Sequence, residues 1–168
     1  MMQLSLSIDS SLLVRDVAGD YRPANADEVL QAARRVLAGQ MRGCEALTSP
    51  QVVRDFLRVK LGALEHEVFA VIHLDAQNRV IDYVEMFRGT VSQTSVYPRE
   101  VVKEALARNS AALLLVHNHP SGAAEPSRAD ELLTQTLKSA LALVDVRVLD
   151  HLIVAGSAIL SFAERGLL

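Results

Sequence analysis

One cysteine, Cys44, stands among 168 residues, so the chain can form neither an intrachain disulfide nor a single-chain thiolate zinc cluster. A reducing compartment, the cytoplasm, is the simpler expectation. Tryptophan is absent, and the three tyrosines and four phenylalanines are not interleaved with basic residues as on a base-stacking nucleic-acid surface. No run approaches the roughly 18 apolar residues of a membrane span, and MMQLSLSIDSSLLV at the N-terminus has no basic stretch ahead of a sustained apolar one. Neither a membrane partner nor a secretory signal is therefore expected. Charge of one sign is also scarce: 17 Lys+Arg oppose 20 Asp+Glu, a net charge of −3, which gives no global attraction to phosphate backbones. Eight glycines and five prolines exclude collagen-like and low-complexity classes. The remainder is 50% hydrophobic and 22% charged, the composition of one globular domain with its own core.

Residues 1–24 alternate over Leu4 to Ile8, turn at Ala18-Gly19-Asp20, and read as a short edge strand or an ordered arm. Asn25 and Glu28 have capping-box spacing ahead of Val29, Leu30, Ala33, Val36 and Leu37, which predicts a helix over about 26–41. Ser49-Pro50, a cap and a proline at the first helical position, opens a second helix through Val52, Val53, Phe56, Leu57 and Leu61, stopping near Gly62. The period then shortens. Val68 to Leu74, a turn over Asp75 to Asn78, and Arg79 to Val84 predict a hairpin. A helix opens at Pro98, and Ala111 to Val116 is an apolar run suited to a central strand. Ser127 caps a helix carrying Leu132, Leu133, Leu137, Ala140 and Leu141, and strands over 146–154 and 159–162 follow. No repeat or linker divides this order, so the expected class is a single α/β domain with a mixed sheet flanked by helices.

Polar chemistry enters at His117-Asn118-His119-Pro120-Ser121-Gly122. Residues two apart in a strand point the same way, so His117 and His119 share one side. Two neutral imidazoles on one face can hold a borderline metal such as zinc. Pro120 and Gly122 turn the chain out of the strand, and Asp130, in the first turn of the helix capped by Ser127, can direct a carboxylate back toward the histidines. Two nitrogens and one oxygen leave a fourth tetrahedral position, the ligand set of a catalytic zinc site and not of a closed structural one. An isolated HxH more often satisfies backbone groups. The joint string HNHPSGAAEPSRAD after an apolar strand is what favours a site. The tripeptide HNH does not imply an HNH nuclease, whose histidines are separated by many residues. A covalent acyl-enzyme lacks support too, because no G-x-S-x-G occurs and Cys44 has no paired histidine.

On these residues the chain resembles the JAB/MPN (JAMM) metalloprotease superfamily, and more closely its RadC-like branch. The family pattern is an upstream Glu, then HxHPxG and Ser-x-x-Asp; His117, His119, Pro120, Gly122, Ser127 and Asp130 match it. Other RadC-like stretches are Glu67 to Ala70, Gly89-Thr90, Pro98 to Glu100, Asp150-His151 and Ser161 to Gly166. The resemblance implies a JAB/MPN-like fold with a cytidine-deaminase-like arrangement, divided into an accessory N-terminal arm and helix over 1–45 and the domain over 46–168. The helix-hairpin-helix region that precedes such a domain in full-length RadC proteins is not expected within the first 45 residues, which are too short for it. The resemblance further implies Zn2+ on His117, His119 and Asp130, and a Glu beside the first core strand that polarises the attacking water. That role falls on Glu67, with Glu65 and Glu85 as alternatives. Ser127 or a nearby backbone N–H would stabilise the oxyanion. The task of Asp150 and His151 stays open between packing, a local hydrogen bond and catalysis.

The expected activity is zinc-dependent hydrolysis of a peptide or isopeptide bond, with a peptide or protein as substrate. The alternative is a DNA-repair-associated or DNA-binding RadC-like protein without protease activity. Arg34, Arg35, Arg42, Arg54, Arg58 and Lys60 would form its nucleic-acid face, although interspersed acids favour an ordinary solvated helix surface. A two-metal nuclease would need more convergent carboxylates to hold ions about 4 Å apart, and the motif supplies only Asp130 at its centre.

Overall fold

In the computed structural model, which describes residues 12–46, 49–90 and 95–168, the capping signals largely set the helix starts. Helix α1 (Ala26–Met41) opens with the expected box: Glu28 N–H donates to Asn25 Oδ1 and Asn25 N–H to Glu28 Oε2, each at 2.9 Å. Helix α2 (Pro50–Leu61) differs from expectation, because Ser49 makes no side-chain cap. Its ψ of 51° leaves the extended geometry a cap needs, and the Val52 N–H that a cap would bond donates to Ser49 O at 3.1 Å. Gly62 ends α2 in ordinary right-handed geometry. Its missing Cβ matters for space, since a Cβ there would sit 2.6 Å from the carbonyl oxygens of Arg58 and Gly156.

Before α1, β1 (Leu13–Arg15) and β2 (Tyr21–Pro23) pair as a small antiparallel hairpin apart from the main sheet, turning at Gly19 with φ 98°. Over the described residues the expected edge strand or ordered arm is a small hairpin whose two strands satisfy each other. The alternation at Leu4 to Ile8 lies outside the described residues.

The main sheet contains β3 (Val68–Leu74), β4 (Val80–Arg88), β5 (Ala112–Asn118), β6 (Arg147–Ala155) and β7 (Ala158–Ser161) in the order β4-β3-β5-β6-β7. Among the described residues only the β5–β6 pair is parallel, and its crossover carries helix α4 (Arg128–Ala142); helix α3 (Pro98–Ala107) precedes β5. The mixed α/β architecture expected from the alternation of elements is therefore present. Both central strands, β3 and β5, are buried along their whole length.

Period-two alternation divides the core into two layers. Val68, Ala70, Ile72 and Leu74 pack with Phe56, Leu57 and Leu61 of α2, and Met41 of α1 joins them. On the other face Phe69, Val71, Leu113 and Leu115 meet Val101 and Ala105 of α3 and Leu137 and Leu141 of α4. Each fully buried aliphatic side chain contributes about 1.5–3 kcal/mol by leaving water, and these layers hold α4 against the end of β5. Among the described residues, no helix is long and apolar enough to cross a membrane.

Candidate metal centre

Strand β5 runs two residues beyond the apolar pattern, so His117 and Asn118 lie within it. The neighbouring strands keep pairing there: His117 stands opposite Phe69 of β3 and Ile153 of β6. A polar residue can end a central strand this way because its backbone groups are satisfied by the ladder, leaving the ring to find its own partners. His119 continues the ladder by donating its N–H to Val154 O at 2.9 Å, and Gly122, with φ 78°, then turns the chain toward α4. His117 shares a face with Leu113 and Leu115, the face that α4 covers.

Asp130 occupies the third position of α4 in a complete capping box with Ser127. Its Oδ2 accepts the Ser127 N–H at 2.7 Å and the Ser127 hydroxyl at 2.6 Å. Oδ1 lies 3.3 Å from His117 Nε2, while Oδ2 is 3.7 Å from His119 Nε2. One donor atom from each of His117, His119 and Asp130 falls within 4.8 Å of the others, a grouping that can coordinate a metal ion.

The protons around this group are placed by two backbone carbonyls, which can only accept. Thr134 gives its single hydroxyl hydrogen to Asp130 O at 2.6 Å, so its 2.6 Å contact with His151 Nδ1 requires the imidazole to be the donor there. His151 Nε2 is then bare and accepts from His117 Nδ1–H at 2.8 Å. On the other side, His119 Nδ1–H donates to Ala123 O at 2.8 Å. Both neutral imidazoles consequently present Nε2 lone pairs to each other, 2.9 Å apart, beside a carboxylate. Three acceptors converge with no donor among them. Such a set is satisfied by a cation, and two imidazole nitrogens with one carboxylate oxygen fit a borderline divalent ion.

The charge states agree. Burial pushes the His117 imidazole down to about 4, and burial likewise takes His151 well below the usual histidine range. Burial alone would raise the Asp130 carboxyl, but the neighbouring His119 and His117 and the hydrogen bonds from Ser127 outweigh it and hold the group well below the usual carboxylate range. His119 is raised, chiefly by Asp130, which shows the same appetite of the cluster for positive charge.

Residues 47–167 match the family of RadC-like JAB domains. This chain belongs to that family. It is 61% identical over 150 residues to a UPF0758 protein of Leptothrix cholodnii, covering 89% of this chain and 68% of that one. A UPF0758 protein of Aromatoleum aromaticum is 64% identical over 146 residues, covering 86% of this chain and 65% of the relative. A third, from Methylibium petroleiphilum, is 56% identical over 167 residues, covering 95% and 75%. The chain thus spans roughly two thirds to three quarters of the length of these relatives.

Within this RadC-like domain the candidate glutamates part company. Glu67 immediately precedes β3, its N–H donating to Thr90 O and its carbonyl accepting from Gly89 N–H, both at 2.8 Å. Continuing the β3–β5 register by two residues from Phe69 and His117 sets Glu67 opposite His119, on the face of the cluster, and its charge contributes to raising His119. Glu65 is exposed in the bend before the strand. Glu85 pairs with Ala70, on the α2 face, and forms an ion pair with Lys60 at 2.9 Å.

Asn118 and Thr134 escaped sequence reasoning, and His151 was singled out there without a task. Asn118 brackets Glu67: its Oδ1 accepts Val68 N–H at 2.8 Å and its Nδ2 donates to His66 O at 3.0 Å. Its place between two histidines was visible, but its partners lie about fifty positions earlier. Thr134, one turn beyond Asp130, and His151 complete the hydrogen-bonded chain described above. Asp150 has a local task, accepting from His151 N–H at 2.7 Å, Ser161 hydroxyl at 2.5 Å and Ala163 N–H at 2.9 Å.

Of the basic residues considered for nucleic acid, Arg42 pairs with Asp82, Arg54 with Glu164, Arg58 with Asp55 and Lys60 with Glu85. Arg34 uses its Nε on Val59 O at 3.2 Å.

Proposed function

We propose that this RadC-like domain is a zinc-dependent hydrolase of peptide or isopeptide bonds. The observation that carries the reading is the convergence of three acceptors, His117 Nε2, His119 Nε2 and Asp130 Oδ1, with both ring hydrogens turned outward. His117, His119 and Asp130 would hold the ion, which when bound supplies Lewis-acid polarisation of a carbonyl and lowers the pKa of a water toward about 7.

The chain's own residues do the rest. Glu67 takes the proton of the attacking water and delivers it to the leaving nitrogen as the new C–O bond forms and the C–N bond breaks. Its support is the register opposite His119 and the grip of Asn118 on both neighbouring residues. Ser127 has two roles in this reading. Its hydroxyl fixes Asp130 Oδ2 in the resting site, and on rotation donates to the oxygen of the carbonyl under attack.

The division into an accessory segment over 1–45 and a hydrolase domain over 46–168 belongs to the same proposal, in keeping with the family match over 47–167. A cytoplasmic, peptide-directed enzyme is favoured over a DNA-binding protein because four of the six basic residues at issue are spent on internal carboxylates.

Profiling the zinc-loaded protein and its Glu67→Gln variant against peptide, isopeptide and nucleic-acid libraries tests the reading. Glu67→Gln should retain zinc and lose amine release, whereas His119→Ala should lose both. Phosphodiester cleavage that depends on Glu67, without amide cleavage, would overturn it.

A further inference from the structure

Thr134 and His151 hold His117 from outside the metal-ligand set, and neither has a role in the proposed chemistry. His151 is fully buried, and its ring is walled by Phe162 at a centroid distance of 4.7 Å and by the edge of Phe69 at 6.1 Å. Thr134 is also fully buried. A buried polar group is costly unless bonded, so two such side chains joined in line call for an explanation. The line has a direction. It runs from His117 Nδ1–H to His151 Nε2, from His151 Nδ1–H to Thr134 Oγ1, and from the Thr134 hydroxyl to Asp130 O, at 2.8, 2.6 and 2.6 Å. The terminal carbonyl cannot donate, so no link can be reversed without setting two acceptors against each other.

We infer that Thr134 and His151 are positioning residues that lock His117 in the Nδ1–H tautomer and so keep its Nε2 lone pair directed into the cluster. This inference rests on the reading that His117, His119 and Asp130 hold a metal. The line starts on one ligand residue and ends on the backbone of another, so it joins β5 to α4 through β6 and fixes both the proton and the spacing of the site. Histidine suits the middle position because a neutral imidazole carries one donor and one acceptor on a rigid ring. His119 has a separate lock in Ala123 O, at 2.8 Å, so loss of the relay should act on His117 alone.

Thr134→Val keeps the shape and removes the acceptor for His151 Nδ1–H. His151 can then protonate at Nε2 and donate to His117 Nδ1, which drives the His117 proton to Nε2, inside the cluster. Outer partners of ligand histidines commonly change metal affinity by about 10–100-fold.

The test has two readouts, both on the intact chain. Long-range 1H–15N spectra of the imidazoles in metal-free protein at pH 8.5 report which nitrogen of His117 carries hydrogen. Competition with a chromophoric chelator reports zinc affinity. Wild type should show Nδ1–H at His117. Thr134→Val should move it to Nε2 and weaken zinc about 10–100-fold, and Thr134→Ser should restore both. An Nε2–H tautomer in wild type, or an unchanged tautomer and affinity in Thr134→Val, would overturn the relay. If wild type shows the Nδ1–H tautomer and its shift in Thr134→Val yet takes up no zinc, the proton lock stands and the metal reading fails. His151→Phe, which fills the ring's apolar niche without its nitrogens, should also release the His117 tautomer. If Thr134→Val fails to fold, this second variant decides the question alone.

Discussion

Asp130→Asn separates the cost of the converging acceptors from their use. The amide oxygen can take over Oδ2's bonds from the Ser127 N–H and hydroxyl, so the capping box persists. The amide nitrogen then replaces Oδ1, 3.3 Å from the bare His117 Nε2, and gives that acceptor a donor. Relieving a buried unsatisfied acceptor stabilises by about 1–3 kcal/mol. Losing a carboxylate from the first helical turn costs about 0.3–1 kcal/mol. Without metal, the variant should therefore be about 1 kcal/mol more stable than wild type, or about 2–4 °C in Tm for a chain of this size. Zinc reverses the order. At 100 times its Kd it adds about 2.7 kcal/mol to wild type, about 5–10 °C, and should add little to Asp130→Asn. Scanning calorimetry at pH 8.5, with chelator and then with excess zinc, reads both effects. A metal-free variant clearly less stable than wild type would refute the argument that three acceptors face one another unrelieved. Equal zinc shifts in the two proteins would remove Asp130 from the ligand set.

Two further outcomes follow from other parts of the site and core. Burial pushes the His73 imidazole down to about 4, and its Nε2 has no hydrogen-bond partner among the described residues. The unfolded chain binds that proton near pH 6.5 and the folded chain does not, so stability is full above about 6.5 and falls progressively toward pH 4. His73 accounts for about 2 kcal/mol of the loss between pH 8 and pH 5. Urea unfolding of His73→Leu at the two pH values should show a difference smaller by about that amount, and an unchanged difference would refute the assignment. Asn118→Ala removes both bonds that bracket Glu67. It should lower amide exchange protection at Val68 to that of a frayed strand end and lower turnover, with zinc affinity within about threefold of wild type because no ligand's proton is disturbed; a large loss of zinc would refute that division.

The elements were readable because their causes are local. Capping pairs such as Asn25 with Glu28 and Ser127 with Asp130 act over three residues, and the apolar stretches at β3 and β5 declare burial on both faces. Strand parity likewise places His117 and His119 on one side before any fold is known. Local reasoning went wrong where a neighbour intervened. Ser49 does not cap because its backbone leaves the extended geometry and its own carbonyl takes the Val52 N–H, and β5 continues through His117 and Asn118 because β3 and β6 go on supplying partners. The choice among glutamates needed the register that sets Glu67 opposite His119 and Glu85 against Lys60 on the other face. Most dependent on tertiary structure are the protons of the cluster. Spacing can name two histidines and an aspartate, but the free nitrogen of each ring is decided by what its other nitrogen touches. Those partners, Ala123 O for His119 and the line through His151 to Thr134 for His117, meet only when β5, β6 and α4 are packed together.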